Sequence, residues 1–277
     1  MDVQGKVALI TGASRGVGRA TALLLAGQGC HVAINYRRSE DQARAVLQEV
    51  QALGGQGLLV QADVSRPEEA TRLVEQTAEH FGRLDVLVNN AGTTHFVRFS
   101  DLHRITPQVW KDILSTNLLG PFFCTQAAAE VMRQTADPQG AEVVNVASVA
   151  GLLPTGSSIP YATSKAALVH LTRCLARALA PQVRVNAVAP GFIEGQWLQE
   201  GLGRHYEPVK AAFEEQLPLG RVCQPQDVAQ AIVSLITGSD LVTGAVLPVE
   251  SGMLVLDPIN FANRPRRRLH SQGERSL

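Results

Sequence analysis

Strand-like apolar runs alternate with longer helix-like segments along almost the whole sequence. Seven short runs, partly β-branched, are separated by segments in which apolar residues recur with helical spacing. Runs that are apolar at nearly every position are typical of strands buried on both faces, as in a parallel sheet covered by helices. The alternation therefore predicts an α/β fold with a doubly wound parallel sheet, right-handed crossovers and helices on both faces.

The boundaries of these elements follow from where the two periodicities change. The predicted strands span residues 6–11, 30–36, 57–61, 84–89, 142–147, 183–189 and 245–249. Besides a helix after the first strand, the predicted helices span residues 38–53, 67–81, 106–133, 161–180 and 225–237. Neither an internal repeat nor a low-complexity linker interrupts the pattern before residue 257, so residues 1–256 are predicted to form one domain.

The charge composition limits the classes of macromolecule that this chain is expected to bind. The chain of 277 residues has 25 Lys and Arg against 25 Asp and Glu, so no overall field draws it to nucleic acid or to a membrane. Residues 257–277 are rich in proline and arginine, with little periodicity. We interpret them as a basic, flexible tail, with docking to a neighbouring subunit or an anionic partner as the alternative.

Cysteine spacing and hydropathy indicate the cellular compartment in which we expect the protein. The four cysteines form no CxxC pair, and no cluster of metal ligands is apparent, so we predict no metal site. The N-terminus lacks the pattern of a signal peptide, and no apolar run approaches the roughly 18–20 residues that span a bilayer. We therefore expect a reduced protein of the cytoplasm.

A glycine-rich turn follows the first strand directly. Glycines there fold the turn tightly, let a phosphate approach the backbone and let the next helix pack on the strand. The helix N-terminus then presents free N–H groups and a positive dipole end to a pyrophosphate. A plain tight turn is the alternative, but the position at the first βα junction favours a Rossmann-like dinucleotide site. The residues assigned to this part of the site are Gly12, Ser14, Arg15, Gly16, Val17 and Gly18.

The residues after the second strand distinguish NAD from NADP. NAD sites usually place an Asp or Glu there to bind the ribose hydroxyls. Here Asn35 is followed by Tyr-Arg-Arg-Ser, which offers guanidinium groups and no carboxylate. We expect Arg37, together with Arg15, to clamp a 2′-phosphate through charge-assisted hydrogen bonds, and we assign Asn35 to the same site. A solvated arginine loop is the alternative. The pattern favours NADP(H) over NAD(H).

Two further strand ends are assigned to the same crevice. Asp63 and Val64 follow the third strand, where a short polar side chain can meet an adenine amino group, although a helix cap explains Asp63 equally well. Asn90, Ala91 and Gly92 close the fourth strand with small residues that let the backbone approach a ribose. A purely structural turn is the competing interpretation of that second segment.

A serine, a tyrosine and a lysine form the candidate catalytic set. Ser148 follows the fifth strand, and Tyr161 and Lys165 lie four residues apart at the start of a helix, hence on one helix face. Free tyrosine, with a pKa near 10, is a poor acid or base at neutral pH. A nearby ammonium favours the phenolate, so we expect Lys165 to lower the pKa of Tyr161 towards its working range. Ser148 would then hold the substrate oxygen while Tyr161 exchanges a proton.

Taken together, the glycine turn, the Asn-Asn-Ala-Gly segment, Ser148 and the Tyr161/Lys165 pair resemble the short-chain dehydrogenase/reductase family over about residues 4–253. The resemblance implies that Asn117 is a fourth catalytic residue, whose backbone holds a water linked to the lysine. It also implies that Tyr161 and Lys165 bind the cofactor, with Lys165 at the nicotinamide ribose. The same resemblance places Pro190, Gly191 and Ile193 at the nicotinamide carboxamide. This chain reads Glu-Gly-Gln after Ile193, where the family usually has a threonine.

The general pattern is similar to 3-oxoacyl-[acyl-carrier-protein] reductases and related NADPH-dependent carbonyl reductases, and the stretch after the second strand also resembles the pteridine-reductase-like branch. Residues 193–217 are expected to form a lid over an apolar substrate, with ordinary packing of an amphipathic helix pair as the alternative. Family resemblance further implies a homodimer or homotetramer assembled through two long helices. A non-catalytic NADP(H)-binding regulatory or scaffold protein on the same fold is the alternative function.

Overall fold

The computed structural model describes residues 1–135 and 140–256. Seven strands form one parallel sheet in the order β3-β2-β1-β4-β5-β6-β7. Their bounds are β1 Val7–Ile10, β2 His31–Tyr36, β3 Gly57–Gln61, β4 Val86–Asn89, β5 Ala141–Val146, β6 Val183–Pro190 and β7 Val246–Val249. The predicted seven-stranded, doubly wound α/β sheet is confirmed, and the strand order reverses between β1 and β4, where such sheets bind ligands.

Helices cover both faces of the sheet. The described residues hold nine α-helices, namely α1 Gly16–Gly27, α2 Glu40–Ala52, α3 Pro67–Phe81, α4 Pro107–Leu114, α5 Gly120–Thr135, α6 Ile159–Leu179, α7 Gln196–Leu202, α8 Tyr206–Gln216 and α9 Pro225–Thr237. Alternate residues of β1 point to opposite sides, so that Ala8 and Ile10 pack with α1, α2 and α9 while Val7 and Leu9 pack with α3, α5 and α6. Each face therefore has its own core.

Two predictions differ from the structure. The single helix predicted over residues 106–133 is two helices, α4 and α5, joined by a π-helical turn at Ser115–Leu119. Periodicity could not show this, because an inserted residue shifts the helical phase without removing the apolar pattern. The second difference is at the sheet edges, where β3 and β7 are not buried on both faces, since only Val60 of β3 is buried and Leu247 of β7 is 39% exposed.

The proposed tail, residues 257–277, lies outside the described residues. Within the part of the chain that is described, no helix combines the length and the hydropathy needed to span a bilayer. The four cysteines (Cys30, Cys124, Cys174 and Cys223) are free thiols.

Candidate active site

The glycine turn between β1 and α1 needs glycine at two positions for different reasons. Gly12 has φ +61°, a conformation that L side chains rarely adopt, and a Cβ on it would lie 3.0 Å from Cα of Ala91. At Gly18, which lies in the first turn of α1, a Cβ would lie 2.7 Å from the carbonyl oxygen of Gly12. The first glycine therefore shapes the turn, and the second lets the helix pack against it.

Two asparagines hold this turn in place. Oδ1 of Asn35 accepts a hydrogen bond from the backbone N–H of Gly12 at 3.1 Å, and its Nδ2 donates to the carbonyls of Val60 and Ala62. Nδ2 of Asn90 donates to the carbonyls of Thr11 and Gly12 at 2.8 and 3.0 Å. Both amides bind backbone groups, so their contribution to the site is to fix the shape of the turn.

A cleft of about 730 Å³ opens at the carboxyl ends of the strands, beside the glycine turn. All but two of the residues assigned from sequence line it. The lining residues that were assigned are Gly12, Ser14, Arg15, Gly16, Val17, Asn35, Arg37, Asp63, Val64, Asn90, Ala91, Gly92, Ser148, Tyr161, Lys165, Pro190, Gly191 and Ile193. Gly18 and Asn117 are the two assigned residues that do not line the cleft.

Charged side chains mark one end of the cleft. Nη1 of Arg37 lies 3.5 Å from Oδ2 of Asp63, and Nη1 of Arg15 lies 3.5 Å from Oε1 of Glu200 on α7. Burial acts to raise the pKa of Asp63, but hydrogen bonds from Ser65 and the charge of Arg37 outweigh it and hold that pKa below its ordinary value. Asp63 is thus an anion that caps the turn at Ser65 and pairs with Arg37.

Ser148, Tyr161 and Lys165 meet in the middle of the cleft. The Lys165 ammonium donates to the carbonyl of Val146 at 2.7 Å and lies 5.8 Å from the centroid of the Tyr161 ring. The Ser148 hydroxyl accepts from the backbone N–H of Ala150 at 3.2 Å and donates to the Pro190 carbonyl at 3.4 Å, and it lies near enough to the Tyr161 phenol to act on its pKa. The spacing of four residues on α6 therefore brings phenol and ammonium to the same side, next to a serine on another element.

The prediction that Lys165 lowers the pKa of Tyr161 is wrong for this structure. Burial raises the pKa of the Tyr161 phenol, and the hydrogen bond with Ser148 only partly offsets this. Burial also lowers the pKa of the Lys165 ammonium to about 8. The two shifts have one cause, because loss of water disfavours whichever form is charged. At neutral pH the site holds a protonated phenol beside an ammonium.

Asn117 lies in the π-helical turn, fully buried behind the cleft. Its Oδ1 accepts from the backbone N–H of Thr93 at 2.8 Å, and its Nδ2 donates to the Thr93 carbonyl at 3.0 Å and to the Ser164 hydroxyl at 3.1 Å. Ser164 in turn donates to the Tyr161 carbonyl. The side chain therefore connects the loop after β4 to the helix that carries Tyr161.

We expect Asn117→Ala to lower the free energy of unfolding by about 2–3 kcal/mol, because two backbone groups of Thr93 lose their partner in a partly buried site. Urea denaturation measures this loss. Ser164→Ala, which removes only one of the three hydrogen bonds to Asn117, is the matched control and is expected to cost about 1 kcal/mol. Equal losses in the two variants would contradict this structural role for the Asn117 amide.

Glu194 directly follows Ile193, a few residues after β6 ends. Its Oε1 lies 2.8 Å from the Lys210 ammonium on α8, and its Oε2 accepts from the side-chain amide of Gln224. These hydrogen bonds hold the pKa of Glu194 below its ordinary value. The carboxylate thus connects the end of β6 to α8 and to the residue before α9.

Sequence reasoning missed three groups at the site. Arg38 lines the cleft beside Arg37, and the adjacent pair of arginines was the available signal. Glu194 also lines the cleft, and its partner Lys210 is too distant along the chain for spacing to indicate it. Ser164 was overlooked, although it precedes Lys165 directly. Of the lid residues expected near the substrate, Trp197 and Leu198 line the cleft. Residues 1–135 and 140–256 contain no group of three metal-ligating side chains.

Comparisons with known proteins agree over most of the chain. The sequence model of the short chain dehydrogenase family matches residues 6–202. A Streptomyces violaceoruber protein assigned as ketoacyl reductase 2 of the granaticin polyketide synthase is 42% identical over 254 residues, which cover 91% of this chain and 98% of that protein. The 3-oxoacyl-[acyl-carrier-protein] reductase of Staphylococcus aureus is 38% identical over 251 residues, covering 90% of this chain and 98% of its own.

A solved structure gives the same result for the fold. A protein from Burkholderia xenovorans, assigned as a short-chain dehydrogenase/reductase, has a TM-score of 0.84 at 36% identity, with 90% of this chain and 98% of that chain covered. The region matched by the family, residues 6–202, includes every residue assigned to the cleft from sequence.

Proposed function

The chain belongs to the short-chain dehydrogenase family, and from that premise we propose that it is an NADPH-dependent oxidoreductase that interconverts a ketone and a secondary alcohol. The observation that carries this proposal is the meeting of Ser148, Tyr161 and Lys165 in one cleft with the glycine turn. A binding module or scaffold has no need of a phenol paired with an ammonium there, so the arrangement favours the enzyme over the non-catalytic alternative.

The residues of the cleft fit a nicotinamide dinucleotide. Gly16 begins α1 with φ +57° and open space where a Cβ would stand, so the helix N-terminus is accessible to a diphosphate. No carboxylate stands at the end of β2, and Arg15, Arg37 and Arg38 line that end of the cleft. These groups support NADP(H) over NAD(H). When bound, the dinucleotide supplies or accepts the hydride.

The chain's own residues handle the proton. In carbonyl reduction, Ser148 donates a hydrogen bond that orients the substrate oxygen, and Tyr161 transfers its phenolic proton to that oxygen as negative charge develops there. The raised pKa of Tyr161 keeps this proton in place at neutral pH. Lys165 stabilises the product of this proton transfer, because its positive charge favours the phenolate that remains on Tyr161. Asn117 positions α6 and the loop after β4 behind them.

The names of two relatives support a choice of substrate class. Proteins at 42% and 38% identity are named a ketoacyl reductase and a 3-oxoacyl-[acyl-carrier-protein] reductase. We therefore propose a 3-oxoacyl thioester or a related ketone as substrate. A homodimer or homotetramer and a location in the cytoplasm stay predictions, and light scattering measures the first of these.

The direct test follows NADPH oxidation with a panel of ketones that includes 3-oxoacyl thioesters. Turnover of at least one ketone, with NADPH preferred over NADH, supports the proposal. Binding of NADPH with no turnover of any carbonyl would favour the regulatory or scaffold alternative.

The pH dependence of ketone reduction should report the ionisation of Lys165. Its ammonium, with a pKa of about 8, is charged below that pH and loses its proton above it, whereas the Tyr161 phenol stays protonated. We expect kcat/KM for ketone reduction to be level below pH 8 and to fall about tenfold per pH unit above it. Cofactor affinity measured over the same range separates binding from proton transfer. A level profile to pH 10 would contradict this assignment.

A further inference from the structure

Helix α7 lies along the cleft, where Gln196, Trp197 and Leu198 line it. None of its seven residues is buried. It is flanked by Gly195, with φ +144°, and Gly203, with φ +52°, and both have open space where a Cβ would stand. A short helix between two such glycines can move as a unit, because the backbone change is confined to its ends.

Three contacts of α7 with other described residues come from one side of the helix. The Trp197 ring edge lies against Gly92, where a Cβ would be 3.6 Å from its Cη2 atom, and the Phe96 ring packs directly on the backbone of Gly201. The third contact is the ion pair between Glu200 and Arg15. Positions 197, 200 and 201 are spaced i, i+3 and i+4, which places them on the same helix face.

The ion pair joins the lid to the phosphate-binding turn. Arg15 is one of the arginines to which the proposed function gives the 2′-phosphate, and Glu200 is its partner at 3.5 Å. The two side chains are 44% and 55% exposed, so neither is locked in position by packing. A phosphate and a carboxylate carry like charges, and they repel one another when both approach a single guanidinium group.

We propose that Glu200 is a positioning residue of the lid that competes with the 2′-phosphate of the cofactor for Arg15. Phosphate binding then releases Glu200, loosens α7 and moves the Trp197 ring away from Gly92. The adenosine end of the cleft thereby controls access to the region above Ser148 and Tyr161. This inference rests on the proposed NADP(H) function and adds a coupling between the cofactor site and the lid.

Coupling between two sites is reciprocal, so its sign can be tested either at the cofactor site or at the lid. If Glu200 competes with phosphate, Glu200→Gln frees Arg15 and strengthens binding of adenosine 2′,5′-bisphosphate, a fragment without the nicotinamide half. An exposed ion pair is weak, so we expect a dissociation constant about two- to fivefold lower than in the parent protein. Glu207→Gln on α8, which removes an exposed carboxylate of the same lid, should leave it unchanged.

Tryptophan fluorescence detects the movement itself. The chain has two tryptophans, so Trp110→Phe leaves Trp197 as the single emitter. In that background we expect adenosine 2′,5′-bisphosphate to shift Trp197 emission to the red and to increase its quenching by acrylamide. Saturating 5′-AMP, which lacks the 2′-phosphate, should do neither. Adding Glu200→Gln should give the shifted emission without any ligand.

The outcomes separate this inference from the function on which it rests. Calorimetry that shows binding of adenosine 2′,5′-bisphosphate with no change in Trp197 emission would overturn the coupling alone. Weaker binding by Glu200→Gln would also overturn it, because Glu200 would then support the phosphate instead of competing with it. Absence of any bisphosphate binding would overturn the choice of NADP(H) together with the competition.

Discussion

Replacing Tyr161 with phenylalanine is expected to lower kcat for ketone reduction by about 10²–10⁴-fold, the range typical of removing a general acid. The variant keeps the ring against the cleft and loses only the hydroxyl, which lies near Ser148. Affinity for NADPH should change little. Steady-state kinetics with a ketone substrate and calorimetry with NADPH measure the two effects separately.

Tyr206→Phe is the matched control for this variant. The Tyr206 hydroxyl is buried and has no hydrogen-bond partner among the described residues, so its removal should leave both the rate and the stability nearly unchanged. If Tyr161→Phe retained the parent rate, Tyr161 would not be the acid. Loss of NADPH affinity in that variant would instead indicate a role in binding.

Replacing Arg37 with aspartate is expected to shift the cofactor preference from NADPH to NADH by about 10–150-fold in the ratio of kcat/KM values. One hydrogen bond to a charged group contributes about 1.5–3 kcal/mol, which corresponds to that range. The new carboxylate would repel a 2′-phosphate and stand where NAD sites bind the ribose hydroxyls. Kinetics with each cofactor at a fixed ketone concentration measure the ratio.

Two further variants separate the effect of losing the cation from the effect of adding a carboxylate. Arg37→Met removes the cation without adding a carboxylate, so it should weaken NADPH binding and improve NADH binding little. Arg44→Asp makes the same charge reversal on α2, where Arg44 pairs with Glu40 of the same helix, and should leave the preference unchanged. An unaltered ratio of kcat/KM values in Arg37→Asp would mean that the loop after β2 does not recognise the 2′-phosphate.

Local patterns explain why so much of the site could be predicted. The glycine turn and the pair at positions 161 and 165 depend on residues within one turn or one helix, and chain geometry alone fixes their relative positions. Parallel strands bring their carboxyl ends to one edge of the sheet, so residues after β1, β4 and β5 had to share a cleft. The sheet itself followed from apolar runs buried on both faces, a pattern that failed at the two edge strands, β3 and β7.

The direction of the Tyr161 pKa shift could not be predicted in the same way. Spacing on α6 indicates that an ammonium is near the phenol, and this alone favours the phenolate. How much water each group loses depends on β5, the loop after it and the residues around the cleft, which are distant along the chain. In the folded protein this desolvation has the larger effect on both groups.

The class of fold, the family and most residues that line the cleft could be predicted from the chain, because they depend on periodicity and on short motifs whose geometry is local. Three contacts could not be predicted: Asn117 with Thr93 from a π-helical turn, Glu194 with Lys210, and Arg15 with Glu200. Each of them joins elements separated by a loop or by much of the chain. No periodicity specifies the distance between such elements before they pack.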